Sequence, residues 1–196
     1  MGNLEPVKYS FILAFILLIT SCGQADYSPK PRGYFRINFP EKSYHQIPNG
    51  CPFQFEIPDY ASYNDEGINQ QHPCWKNIDF PAFNARLHLS YFPISKESTL
   101  AQLTEDARTF AFKHSTKATA IDQSKISIPE HKVHGLQYII GGNTASNYQF
   151  YLTDSSKHYL RGALYFNEKP QLDSIQPVLE FIKADIKQLI HSLEWK

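Results

Sequence analysis

The chain has 3 cysteines, and the first of them stands where lipid chemistry would need it. Lys8 is followed by Tyr9-Ser10-Phe11-Ile12-Leu13-Ala14-Phe15-Ile16-Leu17-Leu18-Ile19. That run is shorter than the roughly 20 apolar residues a stable membrane-crossing helix needs. It has the length of a signal-peptide core, about 7–15 residues. It passes directly into Ile19-Thr20-Ser21-Cys22. An aliphatic residue, two small residues and a cysteine form a lipobox: the small side chains let a peptidase seat the extended chain, and the thiol accepts a diacylglycerol. Cleavage before Cys22 is therefore expected, with residues 1–21 as a lipoprotein signal peptide. One acyl chain binds membranes only reversibly, at about 0.8 kcal/mol per buried methylene. A mature lipoprotein carries two or three such chains, palmitate among them, so Cys22 should hold the protein firmly. Gly23-Gln24-Ala25-Asp26 contain no acidic run of the kind that marks surface export. The expected location is the cell envelope, facing the periplasm, with inner and outer membrane both compatible.

With Cys22 consumed by lipid, Cys51 and Cys74 are left, and an even remainder in an exported chain points to a disulfide. Closing that loop would stabilise the fold by roughly 3–3.5 kcal/mol on the chain-entropy estimate. Two free buried thiols or a metal pair with His72 are the competing readings, but His72-Pro73-Cys74 offers too few ligands for a zinc site. No thiol nucleophile then remains. The sequence also lacks a GxSxG elbow, a P-loop, a dinucleotide fingerprint and HExxH. His131 and His134 flank a strand start at a spacing that does not by itself aim them to one side, and His88 and His158 sit in strand patterns without an acid nearby in sequence. A hydrolase using His88, His131 or His134 is thus a minor alternative; no catalytic residue, cofactor or metal is assigned. Arg161, before Gly162 in a strand pattern, is either a contact for an acidic ligand or a solvent-side arginine, and the second reading is the simpler. Gly162 would mark a bulge or a close backbone approach.

The strongest candidate for a partner contact lies near the lipid. In Pro29-Lys30-Pro31-Arg32-Gly33-Tyr34-Phe35-Arg36-Ile37 basic and aromatic residues alternate in a proline-stiffened segment. Arg32 and Arg36, with Lys30, can bond carboxylates or phosphates, and Tyr34 and Phe35 can anchor in a pocket. Docking on the protein's own sheet is an equally good reading. Nucleic acid is excluded as a partner, because 19 Lys+Arg balance 19 Asp+Glu and such binding needs a basic surface.

The elements that must position these residues follow from periodicity. Residues 22–50, broken by Pro29, Pro31, Pro40 and Pro48, read as an extended lipid-anchored tether that ends by docking. Residues 51–196 suffice for one domain. Strands are expected at Phe53–Ile57, stopped by Pro58, at Trp75–Phe80, and at Asn84–Phe92, where Ala85, Leu87, Leu89 and Tyr91 alternate with Arg86, His88 and Ser90. Residues 60–73 read as an irregular polar loop. Thr99 and Gln102 make a capping box, and Leu100, Leu103, Ala107, Phe110 and Ala111 recur at helical spacing, fading near residues 114–120. Strands at Val133–Ile140, Tyr148–Thr153 and His158–Phe166 are separated by Gly141-Gly142-Asn143 and Asp154-Ser155-Ser156 turns. A last helix, capped by Asp173 or Ser174 with Pro177 in its first turn, carries Ile175, Val178, Leu179, Ile182, Ile186, Leu189, Ile190 and Leu193 as one stripe. The expected fold class is α+β, an antiparallel sheet covered by two helices. In element order, over about residues 51–196, it resembles the PsbP and Mog-type sandwich, which implies no activity.

Several stretches together resemble the gliding motility lipoprotein family GldD. They are Cys22-Gly23, Pro29 to Ile37, Phe83-Asn84-Ala85-Arg86-Leu87-His88-Leu89-Ser90-Tyr91, Gln149-Phe150-Tyr151-Leu152-Thr153-Asp154-Ser155, Leu160-Arg161-Gly162-Ala163-Leu164-Tyr165-Phe166 and Leu193-Glu194-Trp195-Lys196. The resemblance covers nearly all the chain after Cys22. It implies a non-enzymatic role in gliding motility and in type IX protein secretion, supporting assembly or stability of other gliding and secretion lipoproteins. A periplasmic ligand-binding module using the aromatic sheet face is the alternative.

Overall fold

Two long strands with strict alternation dictate the centre of the domain, because only a sheet position buries one face so completely. In chain order the strands of the computed structural model, which describes residues 36–65 and 72–196, are β1 (Tyr44–Gln46), β2 (Phe53–Gln54), β3 (Glu56–Pro58), β4 (Ser62–Asp65), β5 (Lys76–Phe80), β6 (Ala85–Pro93), β7 (Ile121–Ile128), β8 (Val133–Ile140), β9 (Tyr148–Thr153), β10 (His158–Phe166) and β11 (Glu194–Trp195). The helices are α1 (Leu100–Phe112) and α2 (Leu172–His191). Seven strands form one sheet in the order β4-β5-β6-β10-β9-β8-β7, every neighbour antiparallel. β10 is central: Leu164 faces Leu87 and Tyr148, and Leu160 faces Tyr91 and Leu152.

That first face, with Ile78, Phe80, Leu87, Leu89, Phe150, Leu152, Leu160 and Leu164, packs against Phe53, Phe55 and Ile57 and against Leu179, Ile182, Ile186 and Leu189 of α2 in one core. The second face meets α1, whose Ala111 joins Tyr138 and Ile140, while the Tyr159 hydroxyl donates to the Leu103 carbonyl at 2.8 Å. The fold is therefore α+β, an antiparallel sheet between two helices. Among the described residues no helix is long and apolar enough to cross a membrane.

Helix α1 starts as its spacing predicts, with Thr99 and Gln102 completing a capping box. Helix α2 begins earlier than expected. Its N-cap is Gln171 with no side-chain cap, and Pro177 lies inside the helix beyond the first turn. The cap comes from the tertiary structure: the Leu172 N–H donates to the Asn143 side-chain oxygen at 2.8 Å. The expected single strand Phe53–Ile57 is split, because its halves serve different partners; β2 pairs with β11 and β3 with β1. Pro58 ends inside β3.

The short β1 and β11 escape the periodicity reading, and so do two strands of the large sheet. Both β4, in the stretch expected as an irregular loop, and β7 are the outermost strands of the large sheet. An edge strand has one neighbour and wets much of its other surroundings, so it need not alternate. Gly162 answers neither a bulge nor a backbone approach. A Cβ there would overlap the buried ring of Phe150, its neighbour across the ladder.

Candidate functional site

The first described residues fall within the expected tether, and they are held to the domain by a buried carboxylate. Helix α2 buries Ile182, Ile186 and Leu189, and Asp185 falls in the same stripe, with a side chain only 1% exposed. A lone carboxylate there would be prohibitive; it is tolerated because three donors converge on it. Lys42 Nζ donates to Oδ1 at 2.6 Å, the Tyr44 hydroxyl to Oδ1 at 2.9 Å and the Tyr60 hydroxyl to Oδ2 at 2.5 Å. Lys42 also donates to the Phe181 carbonyl at 2.8 Å and stands 3.5 Å from the centroid of the Phe181 ring. Phe39 stacks on that ring at 4.3 Å. Burial first, then the bond to Asp185 and its charge, pushes the Tyr44 hydroxyl up to about 12. The same causes in the same order raise that of Tyr60. β1 then pairs with β3, Tyr44 opposite Pro58 and Gln46 opposite Glu56. Residues 37–50, expected as tether, thus belong to the compact unit that starts at Ile37.

Of the residues singled out in the sequence, Cys22, Lys30, Arg32, Tyr34 and Phe35 lie outside the described residues. Arg36 is exposed. Cys51 and Cys74 are joined by a disulfide with Cα atoms 5.7 Å apart, tying the approach to β2 to the approach to β5. The histidines do not converge. His131 Nδ1 lies 2.9 Å from the Leu193 carbonyl, so Nδ1 carries the proton in that bond. His88 on β6 meets the edge of Tyr165, and His134 is exposed on β8, with β10 and β9 between them. His158 pairs with the Tyr91 hydroxyl at 2.9 Å and stacks on Trp195. Among the described residues no three His, Cys, Asp or Glu side chains are grouped to hold a metal.

An open cleft of about 540 Å³ lies beside His158 and Trp195, lined also by His131, Lys132, Lys157 and Lys196 with Glu130, Asp154 and Glu194. Acids and bases balance there. Burial raises Asp154, but the N–H groups of His158, Lys157 and Ser156 and the Ser156 hydroxyl outweigh it and hold that carboxyl well below the usual range. Among the described residues, the Trp195 indole N–H is buried without a partner.

Arg161 does not stand in solvent. It emerges on the second face of the sheet, as the alternation requires, but the face is covered there by the end of α1. The Phe110 ring lies over the guanidinium at 4.4 Å, and Nη2 donates to Gln149 Oε1 at 3.1 Å. Sequence reasoning missed the clamp residues Lys42, Tyr44, Tyr60 and Asp185. The available signal was an aspartate in phase with the apolar stripe of the last helix.

Fold and clamp together define a class: a disulfide-stapled α+β domain fastened near its start by a buried ion pair. The sequence pattern of the gliding motility lipoprotein GldD matches residues 24–195. The chain belongs to that family, and so is a lipoprotein of gliding motility, a class held to the cell envelope by lipid. None of the curated proteins matches its sequence. Among solved structures, the solution structure of cyanobacterial PsbP (CyanoP) from Synechocystis sp. PCC 6803 is similar. It shares 12% identity, covers 83% of this chain and 98% of that one, and has a TM-score of 0.46.

Proposed function

We propose that this lipoprotein is a non-enzymatic assembly factor, held to a membrane by lipid on Cys22 with its domain in the periplasm, where it supports other lipoproteins of gliding and type IX secretion. Membership of the gliding lipoprotein family over residues 24–195 carries the reading. The clamp supports it: ordering the root of a tether confines the chain's exit to one place on the domain, which suits a scaffold presenting a surface to a neighbour. Partner contact by Lys30, Arg32, Tyr34, Phe35 and Arg36 is part of this reading. Deleting the gene should abolish both surface spreading and export of secreted proteins, with rescue by the wild type but not by Cys22→Ser. A deletion strain that spreads and secretes normally overturns it.

A ligand-binding module is the second reading, carried by the cleft at Trp195 with its unpartnered indole N–H. It requires thermal stabilisation by some envelope metabolite, and a flat response across a broad panel counts against it.

A further inference from the structure

Four aromatic rings from separate stretches of the chain meet beside the carboxylate clamp. Phe83, in the short turn Pro81–Phe83 between β5 and β6, has its ring 5.5 Å from that of Phe181 and 6.2 Å from that of Tyr60. Phe39 lies over them, 5.9 Å from Phe83, and is 39% exposed. Tyr60, Phe83 and Phe181 are half-buried, so the rings reach the surface together. Exposed Pro40, beside Phe39, has no N–H to leave unpaired.

The polar groups under these rings bond one another. Lys42 Nζ directs its three donors to Asp185 Oδ1, the Phe181 carbonyl and the Tyr60 hydroxyl, the last at 3.2 Å. The Tyr60 hydroxyl in turn donates to Asp185. Such a surface can shed its water without stranding a polar group. Charge at the rim is balanced: Arg36 and Glu41 are both exposed near Phe39, and Glu180, beside Phe181, accepts from Lys183 at 2.8 Å. Attraction to this patch is therefore apolar.

Where the chain leads indicates what covers the patch. Arg36 is the first described residue, three positions before Phe39, and Cys22 is 14 positions before Arg36. That link reaches at most about 50 Å. A bilayer holding lipid on Cys22 would stay at high local concentration beside Phe39. Aromatic rings with a lysine stem alongside are the side chains that settle at a bilayer's interface.

We propose that Phe39, Phe83 and Phe181 form a membrane-docking face, Phe39 entering the boundary between headgroups and acyl chains while Arg36 meets headgroup phosphates. Docking there turns α2 toward the bilayer and α1, on the opposite face of the sheet, away from it. The proposal rests on reading the protein as lipid-anchored at Cys22.

The test reconstitutes the full lipidated chain in vesicles of phosphatidylethanolamine and phosphatidylglycerol whose acyl chains carry bromine near the headgroup end. Phe39→Trp, Phe83→Trp and Phe110→Trp are the reporters; Phe110, the other exposed large hydrophobic among the described residues, lies on α1. Emission from Trp75 and Trp195 is measured on the unsubstituted chain and subtracted. Bromine quenches an indole only on contact, and a docked ring sits about 5–10 Å into the boundary. Phe39→Trp should lose about half of its added emission or more, Phe83→Trp less, and Phe110→Trp almost none. Salt at about 0.5 M should leave that pattern in place, because rings and not charges drive it. If Phe39→Trp melts below the unsubstituted chain, quenching of Phe83→Trp relative to Phe110→Trp decides. Equal quenching at positions 39 and 110, or none at 39 and 83, overturns the docking face. So does a photo-crosslinker at position 39 that reacts in cells with a protein, a second copy included, and not with lipid. Flotation separates the two readings. A chain that floats with the vesicles through its lipid while the indoles at 39 and 83 stay unquenched loses only the docking face. A chain that does not float, and behaves like Cys22→Ser, loses the anchor and the docking face with it.

Discussion

Asp185→Asn removes the charge that gathers Lys42, Tyr44 and Tyr60 while leaving shape nearly unchanged. The carboxylate accepts three hydrogen bonds and is 1% exposed, whereas the Lys42 side chain is 29% exposed. Bonds to a charged group contribute about 1.5–3 kcal/mol each in favourable cases. Three such bonds would overstate the loss, because Lys42 can turn to water and the amide oxygen still accepts one phenol. The amide nitrogen, however, opposes the other donor. A net loss of about 3 kcal/mol follows, at the low end of the roughly 3–5 kcal/mol found for fully buried pairs. For a domain of this size that lowers the melting temperature by about 6–12 °C. Circular dichroism on the signal-peptide-free domain measures it, and proteolysis by chymotrypsin at Phe39 and Tyr44 reports separately whether residues 37–47 loosen. In a cycle with Lys42→Met, the two positions should couple by at least about 1 kcal/mol. A fall of less than about 2 °C for Asp185→Asn with no gain in cleavage refutes the clamp as the element that holds the tether root.

Replacing Cys51 and Cys74 together by serine should cost about 3 kcal/mol through loop entropy, seen as a lower denaturation midpoint; an unchanged midpoint under oxidising conditions counts against the staple. Gly162→Ala should destabilise by about 1–3 kcal/mol through overpacking against Phe150, and Phe150→Leu in the same chain should recover part of it; an additive loss would assign the defect elsewhere. Alkali should unfold the domain early. The hydroxyls of Tyr44, Tyr60, Tyr148 and Tyr159 are raised, chiefly by burial, Tyr44 to about 12. Their contribution is complete below the ordinary tyrosine value of about 10 and is lost as pH climbs from there through about 12. Urea unfolding across that window should show stability falling steadily, and a flat profile would contradict the burial of these phenols.

Legibility along the chain followed burial. β6, β8, β9 and β10 are buried on at least one face, so Leu87 and Leu89, or Leu160 and Leu164, announce themselves by spacing. Helix α1 was readable from its own cap residues. Helix α2 was readable as a stripe, but its start was not, since Asn143 supplies the cap from a distant loop. β4 and β7, at the edges, carry too little contrast to be seen. Arg161 is instructive: alternation placed it on the correct face, yet only the position of α1 decides whether that face is wet, and Phe110 covers it.

The amino-acid sequence alone determined what depends on neighbours along the chain. That includes the α+β element order, the apolar faces of the central strands and the family to which those stretches belong. The tertiary structure decided what depends on residues brought together from afar. Lys42 and Asp185, 143 positions apart, become an ion pair only when β1 lies beside α2. Arg161 comes to lie under an aromatic only when α1 closes over the sheet. Local spacing encodes which face of an element is apolar; it carries no record of which distant charge that face will meet.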